Sequence, residues 1–241
     1  MKLAGIDLAW HGERNSSAIA IGSINGKQLV LESLEPSIFG ITPILNLVSS
    51  VDDLSGIAID APLIIENDFG QRDCEKALSR DYGSRKASCH TSNRSLYPEA
   101  LSTRLSSRLH DMGFAHLATD KWQIECYPHP AIIECFGLSE RLAYKKGKVA
   151  NKKSGQIALA NFILSLELSP VLAMKIPEPL KLFLSATYID SLKGLALKIN
   201  EDALDAIVCL YIAALYQVKA PSVTYGDTAR GYIWVPQVSC I

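Results

Sequence analysis

The run LSGIAIDAPLII, residues 54–65, limits what this chain can fold into more than any other stretch. It is apolar on both faces of an extended segment and ends at Pro62. A strand of that kind is stable inside a sheet that is covered on both sides. It is therefore expected to be central and parallel, with crossover connections and helical layers above and below. Upstream, LAGIDLAW (3–10), SSAIAIGSI (16–24) and KQLVLESLE (27–35) read as three strands, with Asn25-Gly26 between the last two. Asn-Gly between strand-like runs signals a tight hairpin, so these three are expected to be antiparallel. WQIECYPHP (122–130) reads as a fifth strand. Helical periodicity is expected near residues 41–52, 71–82, 98–113, 130–143, 154–167, 178–197 and 201–217, with Leu101, Leu105, Leu109 and Met112 forming one stripe. The resulting expectation is an α/β chain. Its mixed five-stranded sheet has three antiparallel strands followed by parallel ones and is flanked by helices. With 241 residues, 48% of them hydrophobic, it can bury a full core as a single domain spanning 1–241, with a helical insertion at approximately 66–118.

Two of the strands carry an aspartate. A right-handed crossover places strand four beside strand one, which makes Asp7 and Asp60 neighbours. An ionised carboxylate in an apolar strand is costly unless it is paired, hydrogen-bonded or bound to metal. Neither strand contains a Lys or Arg, so a divalent cation is the most economical counter-charge. EDALDAIVCLY, residues 201–211, adds three acids at the start of an otherwise apolar helix. Asn200 or Glu201 would suffice as a cap, which leaves Asp202 and Asp205 surplus and spaced i, i+3 on one face. The candidate metal ligands are thus Asp7, Asp60, Asp205 and Asp202, for Mg²⁺ or Mn²⁺. Asp202 has a competing reading as a first-turn residue that complements the helix dipole. Glu125, in the fifth strand, is either a further ligand or an acid paired with a basic residue in the core.

GIDLAW, IAIDAPL, RDCEKALSRDYGSRKASCHTSNRSLYP (72–98), IECYPHP, LDAIVC and GYIWVP together resemble domain-of-unknown-function family 429, whose members are predicted nucleases with a ribonuclease H-like fold. Within that superfamily the acidic pattern is most similar to that of Holliday-junction resolvases, with Asp7, Asp60, Asp205 and Asp202 in the corresponding places. The chain differs in having Asp60 where the resolvases have glutamate. The resemblance implies two-metal cleavage of a phosphodiester, with catalytic roles for Asp7, Asp60 and Asp205 and auxiliary ones for Asp202 and Glu125.

A nucleic acid is the expected partner, although the total charge does not announce one. Lys+Arg number 24 against 25 Asp+Glu, a net charge of −1. Local charge is more informative. RLAYKKGKVANKK (141–153) holds Lys145, Lys146, Lys148, Lys152 and Lys153 with no acid, and reads either as a phosphate-binding strip or as a solvated face. Arg72 and Arg85, in the segment after strand four, are further candidate phosphate contacts, weakened by interleaved acids.

Two functional alternatives remain. One is an actin-like or sugar-kinase-like ATP-dependent phosphotransferase, which shares the sheet and the early aspartate but needs a Gly-rich phosphate loop that follows neither Asp7 nor Asp60 here. The other is a non-catalytic module that binds nucleic acid or protein. Zinc is disfavoured: Cys74, Cys89-His90 and Cys126-x-x-His129 fit no standard finger spacing. A Cys126 nucleophile paired with His129 lacks an orienting third group. No Cys-x-x-Cys pair occurs, so reduced thiols are expected. MKLAGIDLAWHGER has neither a long apolar stretch nor a small-residue cleavage site, and no run of about 18 apolar residues occurs. The expectation is a cytoplasmic protein without a membrane partner.

Overall fold

Period-two patterning builds the sheet from the N-terminus. The computed structural model describes residues 1–10 and 15–241, so the end of the N-terminal stretch MKLAGIDLAWHGER, 11–14, lies outside the described residues. Strands β1 (Lys2–Asp7), β2 (Ser17–Asn25) and β3 (Gln28–Ile38) are consecutive and antiparallel, and Gly26 turns the hairpin between β2 and β3 at φ 58°. Helix α1 (Ile41–Ser50) then crosses to β4 (Leu54–Asp60), which lies parallel to β1. Helices α2 (Asp73–Tyr82) and α3 (Leu101–Asp111) lead to β5 (Ala115–His116) and β6 (Trp122–Glu125). Next come α4 (Pro128–Cys135), α5 (Val149–Ser165), β7 (Ala173–Lys175), α6 (Ala186–Ser191) and α7 (Leu195–Gln217). A hairpin of β8 (Ser222–Asp227) and β9 (Gly231–Pro236) follows and forms its own two-stranded sheet.

The main sheet has the order β5-β6-β4-β1-β2-β3-β7, seven strands rather than the five expected from sequence. The extra strands β5 and β7 are two and three residues long and pair at the two edges, too short to carry a legible alternation. The closing helix also differs. It begins at Leu195, after Gly194 at φ 52°, so Asp202 and Asp205 lie inside the helix and not in its first turn. The single helix expected at 178–197 is broken into a 3-10 segment at Glu178–Leu184, α6, and the start of α7.

Alternation assigns each strand residue to a face. Ala4, Ile6, Ile19, Ile21, Ile57 and Ile59 pack against α1 and α3, while Leu3, Ala18, Ala20, Ala58 and Ile124 pack against α7 and its neighbours. By the same parity, Asp7 and Asp60 face α7. That helix is 23 residues, about 34 Å, and from Asn200 to Leu215 every residue is buried. Its close approach depends on Gly5 at the middle of β1. A Cβ there would lie 2.0 Å from the Leu210 backbone N and 2.4 Å from the Ala206 carbonyl oxygen. Gly5→Ala should therefore push α7 off the sheet and cost about 2–3 kcal/mol or more, the upper end of overpacking penalties, measured by urea unfolding. An unchanged midpoint would show that α7 is not seated on Gly5.

Candidate active site

Strand register and the seating of α7 bring three acids from distant parts of the chain together. Asp7 and Asp60 are directly paired at the C-terminal ends of the parallel strands β1 and β4. Asp205, immediately before Ala206 on α7, is set above them by the Gly5 contact. One carboxylate oxygen from each of the three lies within 4.8 Å of the others. Among the described residues, this is the one cluster of three or more His, Cys, Asp or Glu groups so arranged.

The electrostatics are those of a crowded anionic site. Burial, then the Asp205 charge, pushes the Asp7 carboxyl well above the ordinary aspartate value, with Lys145 opposing. Burial likewise raises Asp60 to about 7 against the pull of Lys145. Asp205 is fully buried; its Oδ1 accepts a 2.6 Å hydrogen bond from the Tyr144 hydroxyl, and its Oδ2 lies 2.6 Å from Lys145 Nζ. That second contact is a buried ion pair. Three converging carboxylates form a hard, all-oxygen donor set, which suits Mg²⁺ or Mn²⁺.

The other acids are placed differently. Asp202 sits one turn before Asp205 at the edge of the same cavity, but its carboxylate is outside the three-acid cluster and accepts from Lys198 Nζ at 2.6 Å. Glu125 is not brought to the cluster at all. It is in register with Ile59, not Asp60, so parity turns it to the opposite face. There it accepts from both Arg72 terminal nitrogens, at 2.9 and 2.5 Å, and from the Leu63 N–H at 2.9 Å. Glu125 is therefore the acid of a core ion pair and not a further metal ligand.

The basic candidates also separate. Arg72 is buried between Glu125 and Glu75 and is not available to a phosphate. Arg85 is held by Glu134 at 2.5 Å and by the Leu138 carbonyl at 2.7 Å. Within the lysine strip, Lys153 donates to the Asp190 carbonyl and Lys145 turns into the acid cluster. Lys148 immediately precedes α5 without a side-chain capping hydrogen bond and Lys152 lies in its first turn, whereas Lys146 and Arg141 line the cavity. No ion pair joins Lys146 or Arg141 to an acid among the described residues.

The cavity beside the acids has a volume of about 700 Å³. Asp7, Asp60 and Asp202 line one part of it; Arg141, Lys145, Lys146 and Lys198 supply positive charge, and Trp10 and the half-exposed Phe39 supply apolar wall. His129 also lines it, a place that neither the zinc nor the thiol reading anticipated. Its ring is buried, its Nδ1 has no hydrogen-bond partner, and burial followed by the Lys145 and Arg141 charges holds its pKa well below the ordinary histidine value. Burial and the neighbouring positive charges thus both disfavour the charged form of this ring, whose Nδ1 is shielded from the cavity. The sequence signal was Pro128 and Pro130 around His129, which begin α4 at the end of β6, where ligands of parallel sheets collect.

Comparison with known proteins adds one finding. The family model described as Protein of unknown function (DUF429) matches residues 5–229, which includes all three clustered acids. Neither a curated protein nor a solved structure shows significant similarity to the chain.

Proposed function

We propose that this chain, which belongs to the DUF429 family, is a metal-dependent phosphodiester hydrolase that acts on nucleic acid. The observation that carries this reading is the convergence of Asp7, Asp60 and Asp205 within 4.8 Å at the edge of a cavity walled by lysines and an arginine. The inner strands β3-β2-β1-β4-β6, three antiparallel and then two parallel, support a ribonuclease H-like assignment, with β5 and β7 as additions at the edges.

Asp7, Asp60 and Asp205 would hold Mg²⁺ or Mn²⁺, which supplies an activated water for in-line attack and charge compensation at the leaving oxygen, as in two-metal phosphodiesterases. The chain's own groups do the rest. Arg141 and Lys146 hold phosphate oxygens at the cavity wall, and the Tyr144 hydroxyl fixes the orientation of Asp205. His129 packs its ring edge-on against Tyr144, with centroids 5.4 Å apart, and so helps hold the Tyr144 ring in place. A cavity of about 700 Å³ suits one nucleotide unit of a single strand or strand end better than the uninterrupted backbone of a duplex.

The test is cleavage and binding of labelled single-stranded, duplex and branched substrates, with Mg²⁺ or Mn²⁺ for cleavage and Ca²⁺ for binding. Arg141→Gln with Lys146→Gln should weaken binding of all single-stranded sequences alike. It should also make the dependence of log affinity on log salt shallower, by about 0.7 for each phosphate that is no longer neutralised. An unchanged salt slope would return these residues to a solvated face. Absence of both metal binding and cleavage would favour the non-catalytic module.

A further inference from the structure

Three carboxylates and one ammonium meet at the floor of the cavity. Lys145 Nζ lies 2.6 Å from Asp205 Oδ2 and 3.9 Å from Asp60 Oδ2, with a quarter of its side chain still accessible. It is not a surface lysine that happens to fold inward. The preceding residue, Tyr144, is fully buried and bonded to Asp205. Behind them Gly155 of α5 is packed so closely that a Cβ there would lie 2.1 Å from the Ala143 carbonyl oxygen and 2.7 Å from Tyr144 Cα. The backbone that carries Lys145 is thus clamped from both sides, while its neighbour Lys146 is exposed.

We infer that the Lys145 ammonium is a built-in cation that takes the place of one of the two metal ions, so that the site binds a single divalent ion. This rests on the proposed phosphodiester hydrolase. The charge count favours it. Asp7, Asp60 and Asp205, when ionised, carry three negative charges, and Lys145 cancels one, which leaves −2, the charge matched by one divalent ion. Asp202 lies outside the three-acid cluster, where Lys198 is shared between it, at 2.6 Å, and Glu201, at 2.8 Å. Two divalent ions would leave the same set at +2, with the ammonium beside two of the ligands they share. A lysine in this position also keeps one positive charge facing the scissile phosphate when no metal is bound.

The inference is tested by counting ions, independently of any cleavage. Isothermal titration with Mn²⁺, paired with electron paramagnetic resonance of the unbound Mn²⁺, should give one ion for the unmodified protein. Lys145→Met should take two ions, or bind one about tenfold or more tightly, because a positive charge has left the site. Lys145→Arg, which keeps the charge, should remain at one. Thermal melting without metal shows whether each variant is folded; if Lys145→Met is not, the stoichiometries of the unmodified protein and Lys145→Arg decide. Two ions on the unmodified protein, or unchanged or weaker binding in Lys145→Met, overturn the role of Lys145 and leave the hydrolase standing. Failure of both the unmodified protein and Lys145→Met to bind any Mn²⁺ overturns the hydrolase as well.

Discussion

Asp7→Asn is expected to lower metal-dependent phosphodiester cleavage by more than about a hundredfold, since even the loss of an outer-shell partner of a metal ligand can cost that much. The same substitution should stabilise the metal-free protein. Burial, followed by repulsion from Asp205, raises the Asp7 carboxyl well above its ordinary value. As pH rises, the unfolded chain therefore releases this proton before the folded one does. The native state is left relatively less stable, by an amount absent below the unfolded pKa and growing until the folded pKa is passed. Asparagine removes that penalty, so the gain in melting temperature should be larger at pH 8 than at pH 4. Added Mn²⁺ should then raise the melting temperature of the unmodified protein more than that of Asp7→Asn. Cleavage at the unmodified rate would remove Asp7 from the mechanism. A variant less stable than the parent at pH 8 would mean that the carboxylate is needed by the fold.

Arg72→Met should be the most destabilising change outside the acid cluster, at about 3–5 kcal/mol, because it leaves two buried carboxylates without their cation. Arg72 Nε donates to Glu75 at 2.8 Å, its terminal nitrogens reach Glu125, and one of them also donates to the Ile64 carbonyl at 2.9 Å. Glu75 in turn accepts from the backbone N–H groups of Arg72 and Ser92. This single guanidinium therefore joins the start of α2, the segment after β4 and the end of β6. Burial raises the Glu125 carboxyl even with Arg72 beside it, so removing Arg72 should drive Glu125 to bind a proton. Urea unfolding of Arg72→Met, Glu125→Gln and the pair gives the coupling directly, and the double variant should recover part of the loss. A cost below about 1 kcal/mol for Arg72→Met would show that water reaches the network and screens it.

The same network shows how far local reading reaches. Glu125 and Arg72 are 53 residues apart, and both are candidates for function in the sequence because an acid in an apolar strand and a base near an acidic motif are individually suggestive. Their pairing cancels both suggestions. Parity is the hidden variable: Asp60 shares a sheet face with Ala58, whereas Glu125 shares one with Ile59, and a shift of one residue in register would have exchanged them. Lys145 is legible as a basic residue in a basic strip, but its descent into the acid cluster depends on Tyr144 and on the missing side chain at Gly155.

By itself, the sequence determined the elements whose signal is local and long enough to repeat. The strand-like apolar runs of β1 to β4, the turn at Asn25-Gly26 and the apolar run of α7 were legible because each signal lies within one short stretch of chain. With the right-handed crossover, they also placed Asp7 beside Asp60. Tertiary structure alone decided the short edge strands, the start of α7 at Leu195, the partners of Arg72 and Glu125, and the inward turn of Lys145. The physical reason is range: backbone periodicity acts between neighbours in the chain. The Lys145–Asp205 pair joins residues 60 apart, and their contact exists only after close packing at Gly5 and Gly155 has set α7 and the 141–148 segment in place.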